Sequence, residues 1–151
     1  MKWLMIAALF LAAACEPLGS GVTRTGEIPS EPFGGDINAF ADAVRAHNGP
    51  ARLTGRYVSA GTLWIGHPAA CTVDDAQFVF HGPTFAVGVP LTEPRYSQAL
   101  NYIARFYPEP TRAWYLATYA TPGRATTKTG RDLIADGTLT HCDDWLMAVE
   151  G

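Results

Sequence analysis

Charge is scarce in this chain. Only 17% of its 151 residues are Asp, Glu, Lys or Arg, and the formal net charge at pH 7 is −3. The 11 basic residues are scattered singly and form no stripe. The electrostatic footprint of a nucleic-acid binder is therefore missing, and no nucleic-acid partner is expected. Cysteine is scarce too, with three residues. His141 stands beside Cys142 and Asp143, but no second ligand pair has metal spacing, so neither a metal nor a cofactor is expected. Serine nucleophiles are few: Ser20, Ser30, Ser59 and Ser97 are the whole set. The G-x-S-x-G elbow is absent, since Tyr57 precedes Ser59 by two, which disfavours an α/β-hydrolase. No internal repeat is present, and the apolar run Trp3 to Ala13 is too short to span a bilayer.

What is present begins with that run. Lys2 is a minimal positive region, the apolar stretch follows, and Ala12, Ala13 and Ala14 lead into Cys15. Residues 1–14 read as an export signal. The junction resembles the lipobox of bacterial lipoproteins, in which the cysteine is lipidated and becomes the new N-terminus, although Leu11 lies four residues before Cys15 where the usual leucine lies three before. The alternative is an ordinary cleaved signal with Cys15 a bystander. The resemblance implies a lipid anchor on Cys15 and a location in the bacterial cell envelope, facing the periplasm. Glu16 rather than Asp after the cysteine points to the outer membrane. Cys71 and Cys142 then remain, and two cysteines in an exported chain are candidates for a disulfide, against the alternative of two buried thiols.

Residues 15–33, rich in Gly, Pro, Ser and Thr, read as a tether, with Val22 to Ile28 a candidate edge strand. Residues 34–151, within a chain of 48% hydrophobic composition, form one domain. Asp36 is expected to cap a helix carrying Ile37, Phe40, Ala41 and Val44, ended at Asn48-Gly49-Pro50. Arg52 to Val58 reads as a strand anchored by Leu53, and Ser59 to Ile65 as a buried helical turn stopped by Gly66 and Pro68. Thr72 to Phe80 reads as a strand or hairpin around Asp74-Asp75. Glu93 to Tyr107 is an amphipathic helix broken by Pro108 and Pro110, Thr111 to Tyr119 another, and Thr129 to Asp136 a short one with Thr129 as cap. Thr138 to His141 is a last short strand. Short strands alternating with helices predict an α/β fold with a partly parallel sheet and flanking helices.

Chemistry concentrates between Gly34 and His81. The pair Gly34-Gly35 feeding a helix offers backbone N–H groups and a partial positive charge, the ingredients of an oxyanion hole. Ser59 sits between a strand and small residues, and His81 follows the apolar run Phe78 to Phe80. A serine before a buried helix with a histidine at the next strand end is one way to build a nucleophile and its base. A serine in such a place also occurs for structural reasons alone. Of the other histidines, His47 reads as a helix C-terminal cap and His67, before Pro68, as a solvated loop residue. Tyr96, Tyr102, Phe106, Tyr107, Trp114, Tyr115 and Tyr119 read as core packing, with a peptide groove as the alternative.

The order of these segments resembles the ClpP/crotonase superfamily, and within it small exported bacterial proteins with a GG-x-V, C-x-S-A-C-T and C-x-x-P-x-A-x-x-G-F-H pattern. The matching segments are Gly34-Gly35-Asp36-Ile37, Tyr57-Val58-Ser59-Ala60-Gly61-Thr62 and Cys71 through His81, with Thr129 through Gly137 further on. The resemblance covers about residues 33 to 142 and implies Ser59 as nucleophile, His81 as general base and the N–H groups of Gly35 and Ala60 as oxyanion hole. Tyr57 and Gly61 replace a cysteine pair, and the position of the family's acid holds Ala125, with Asp132 and Asp136 as nearby carboxylates. The implied activity is peptide or ester hydrolysis. The alternative is a non-catalytic envelope lipoprotein that binds a peptide or an envelope protein in a relic cleft.

Overall fold

A short strand, a sharp break and a second short strand make a unit that the chain uses twice, each time sending its halves into different sheets. The computed structural model describes Ile28 and residues 36–84 and 91–144. The signal, Cys15 and the Gly34-Gly35 pair lie outside the described residues. Helix α1 (Ile37–Ala46) leads into strands β1 (Ala51–Leu53) and β2 (Arg56–Val58), then a 3-10 helix (Ser59–Gly66). Strands β3 (Ala70–Thr72) and β4 (Gln77–Phe80) repeat the pair. Helices α2 (Glu93–Ala104) and α3 (Thr111–Thr118) follow, then strand β5 (Thr126–Thr129), helix α4 (Gly130–Ala135) and strand β6 (Thr140–His141). No helix among the described residues is long and apolar enough to cross a membrane.

The fold is mixed α/β with two three-stranded sheets, ordered β1-β3-β6 and β2-β4-β5. The first sheet is parallel throughout, with Leu53 opposite Thr72 and Cys71 opposite Thr140. In the second, β2 and β4 are parallel, with Val58 opposite Val79, and β5 closes antiparallel on β4. This corrects the single strand expected over Arg52 to Val58. The chain breaks at Thr54-Gly55, where the Thr54 N–H donates to the Tyr57 hydroxyl (3.2 Å) and the Gly55 carbonyl accepts from the Gln77 N–H (3.0 Å). It also corrects the hairpin around Asp74-Asp75. β3 and β4 do not pair with each other; each lies parallel to the corresponding half of the preceding unit, and the 3-10 helix supplies the crossover that parallel pairing requires. β5 was not expected, because Thr-Thr-Lys-Thr has no apolar residue to signal a strand.

Leu53, Leu63, Ile65, Phe78, Phe80 and Leu133 are essentially fully buried and build the core, with Tyr57 stacked on Phe78 at 5.3 Å between ring centroids. Ile28 joins this core: its N–H donates to the Arg52 carbonyl (3.0 Å) and its carbonyl accepts from the Tyr57 hydroxyl (2.6 Å). The packed body thus reaches back into the segment read as tether. Asp36 caps α1, accepting from the Asn38 N–H (2.8 Å), as the sequence predicts. Thr129 and Asp132 form a reciprocal capping box on α4. Gly130 is required there: its N–H reaches the Ala76 carbonyl (2.8 Å), and a Cβ would collide with the Val73 carbonyl. Cys71 and Cys142 are joined by a disulfide, their Cα atoms 4.8 Å apart and both fully buried.

Candidate active site

The paired strands β2 and β4 set the site. Both run in the same direction and finish within a residue of each other in register, so the residues that leave them, Ser59 and His81, emerge at the same end of one sheet. Adjacent strands lie about 4.8 Å apart, so the two residues follow neighbouring strands, Ser59 one residue past Val58 and His81 two past its partner Val79. Ser59 has φ +56°, and it is the one non-glycine residue with positive φ among those described. The left-handed region disfavours a Cβ by roughly 1–2 kcal/mol, so the fold holds Ser59 there against its local preference. The result is a sharp turn from strand to helix with a half-buried serine at its tip. Ala60, the next residue, is buried at the start of the 3-10 helix, where N–H groups have no acceptor within the helix.

Two hydroxyls clamp this turn. Thr62 Oγ1 donates to the Ser59 carbonyl (2.6 Å) and lies 2.7 Å from the Tyr107 hydroxyl. Thr62 has one hydroxyl proton and it goes to Ser59, so Tyr107 donates to Thr62. Burial pushes the Tyr107 phenol well above its ordinary range, which keeps it a donor.

His81 is half-buried, and its Nδ1 lies 2.7 Å from the Gly82 carbonyl. A carbonyl only accepts, so Nδ1 carries a proton in this contact, and the tautomer of a neutral ring held this way has its lone pair on Nε2. The backbone around His81 is held by tyrosines. The Tyr115 hydroxyl donates to the His81 carbonyl (2.9 Å), Tyr119 to the Phe80 carbonyl (2.8 Å), and Tyr96 to the Tyr119 carbonyl (2.9 Å). Burial raises the Tyr115 and Tyr96 phenols, so both remain protonated donors. In sequence these tyrosines read as packing or as the lining of a groove, and neither reading shows the hydroxyl contacts. The available signal was the choice of tyrosine over phenylalanine at four inward-facing positions.

No hydrogen bond joins Ser59 to His81, and no carboxylate lies against His81, among the described residues. The two acids that follow Ala125 in sequence are occupied elsewhere, and with Thr129 opposite Gln77 their helix starts at the other end of β4 from His81. Asp132 is held below the usual carboxylate range by the Thr129 N–H and hydroxyl of its capping box. Burial works upward on Asp136, but Lys128 and Thr138 outweigh it and hold it down. Gly35 falls outside the described residues.

The remaining histidines divide. His47 caps α1 as expected, its N–H on the Ala43 carbonyl. His67 is not solvated; it is buried because the turn before β3 folds it against the end of α1. Its Nε2 lies 3.2 Å from the His47 carbonyl and its Nδ1 accepts from the Ala69 N–H (3.1 Å). His141 faces Asp143 at 3.6 Å, and no group of three potential metal ligands occurs among the described residues. No protein-family model matches the chain, and no curated protein matches it significantly.

Proposed function

We propose that this chain is an exported serine hydrolase of the ClpP/crotonase type, acting slowly on peptide or ester bonds and tethered to the envelope membrane through a lipid on Cys15, with its domain in the periplasm. The observation that carries the hydrolase reading is the left-handed conformation of Ser59 at a strand-to-helix turn beside the strand that delivers His81. Strain of this kind, kept where a serine leaves the end of a sheet, is a feature of nucleophile sites. Ser59 Oγ would attack the carbonyl carbon while His81 Nε2 takes its proton and returns it to the leaving group. The Ala60 N–H, with Gly35 as second donor, would hold the oxyanion. Water would then release the acyl group by the same route in reverse. With no carboxylate on His81 among the described residues, turnover is expected about four orders of magnitude below that of an intact triad.

The test is labelling of the purified full-length chain, in mild detergent, by a fluorophosphonate. Labelling is expected in the parent and lost in Ser59→Ala, and slowed at least about 100-fold in His81→Ala. A well-folded parent that never labels would sink the hydrolase reading. A second reading, a site that binds a peptide without cleaving it, is favoured by the missing hydrogen bond between Ser59 and His81 among the described residues. Peptide binding without turnover would establish it.

A further inference from the structure

We propose that the Gly82 carbonyl, fixed by a tyrosine scaffold, orients His81 in the role that a carboxylate plays in a triad. The inference rests on the hydrolase reading above. In a triad the third group accepts from Nδ1–H, sets the tautomer and fixes the ring. Here a single backbone oxygen, 2.7 Å from Nδ1, meets the first two requirements. A carbonyl one residue away from its histidine orients the ring only if the intervening backbone cannot turn. That backbone is held at three places. Tyr119 grips the Phe80 carbonyl, Tyr115 grips the His81 carbonyl, and Tyr96 packs so closely on Gly82 that a Cβ there would overlap its hydroxyl. Tyr96 is itself tied to the Tyr119 carbonyl, and the Tyr119 hydroxyl also accepts from the Thr126 N–H at 3.2 Å. A carbonyl lacks the negative charge that stabilises an imidazolium, so it supplies orientation without the full electrostatic gain. A poised but slow base is the expected result. Gly82 and Tyr115 are positioning residues in this scheme, since neither need touch substrate.

The test reads the ring directly. The full-length chain is labelled with nitrogen-15 histidine, and the His81 signals are assigned by their loss in His81→Ala. In the neutral ring, Nδ1 is expected to be protonated and Nε2 bare. A bare Nδ1, or the mixture shown by free histidine, would overturn the proposal whether or not the chain labels with fluorophosphonate. Conversely, an Nδ1–H ring in a chain that never labels would remove the hydrolase reading and leave the orienting contact standing. Tyr115→Phe gives the second readout. It is expected to weaken the Nδ1–H preference and slow labelling between about tenfold and a hundredfold, as a small misplacement of a catalytic group does. A folded Tyr115→Phe chain with an unchanged tautomer and labelling rate would overturn the claim that the scaffold fixes the ring.

Discussion

At the scale of single residues, Ser59 is where local preference and global structure disagree. A residue in the left-handed region is best served by glycine, which meets no Cβ penalty there. At an ordinary position in a helix, alanine is instead more stable than glycine by about 0.5–1 kcal/mol. The order should reverse at Ser59. Ser59→Gly is expected to be more stable than Ser59→Ala by about 1 kcal/mol, the left-handed penalty less the greater entropy of a glycine chain when unfolded. Urea unfolding of the two variants would read this from their midpoints, and an alanine variant as stable as the glycine one would mean that Ser59 carries no strain. By the same argument Ser59→Gly is expected to be more stable than the parent, and since neither variant is expected to label, that gain would accompany loss of the proposed nucleophile. The pattern of exchange between stability and function is the one expected where a strained backbone serves chemistry.

At the scale of elements, the end of α1 and the turn into β3 meet at His47 and His67. Their rings lie 5.0 Å apart, with Trp64 beside both. Burial pushes His67 below its ordinary 6.5, although the His47 carbonyl pulls the other way. Between that lowered value and 6.5 the unfolded chain binds more protons than the folded one. Stability therefore rises with pH across the interval, is fully present above about 6.5, and is lost as the pH falls through it. Protonation would also take Nδ1 from the Ala69 N–H, leaving that donor without its acceptor. His67→Gln, which does not titrate, is expected to flatten the acid limb of a melting-temperature profile. An unchanged limb would assign it to other groups. The same junction shows what the sequence hid. His67 before a proline looks like a loop residue, because nothing local reveals that α1 packs over it. The helices were legible, since caps such as Asp36 and Thr129 and apolar spacing are local signals. The strands were legible only as extended runs. At three or four residues they are too short for alternation to reveal where one sheet ends and the next begins, and β5 has no apolar residue at all. Ser59 and His81 stand out from their immediate neighbours in the sequence, whereas the hydroxyls of Tyr107, Tyr115 and Tyr119 act on groups 45, 34 and 39 residues away, and distance in sequence conceals them.

At the scale of the whole molecule, the disulfide and the proposed site belong to different sheets. The disulfide belongs to the β1-β3-β6 sheet, joining Cys71 in β3 to Cys142 just beyond β6, while Ser59 and His81 leave the β2-β4-β5 sheet. The bridge links residues 71 apart in sequence, and closing so long a loop stabilises by roughly 4 kcal/mol in the chain-entropy view. For a small domain with a net stability of about 5–15 kcal/mol, that is a large fraction. The double variant Cys71→Ala, Cys142→Ala is therefore expected to unfold at a much lower urea concentration than the parent. Below its own unfolding midpoint, however, it should label with fluorophosphonate at the parent rate, because the bridge ties strands of the other sheet. Labelling that fails in a still-folded variant would mean that the bridge shapes the site across both sheets. Labelling that tracks the folded fraction would confine the disulfide to stability and leave the chemistry to the end of the second sheet.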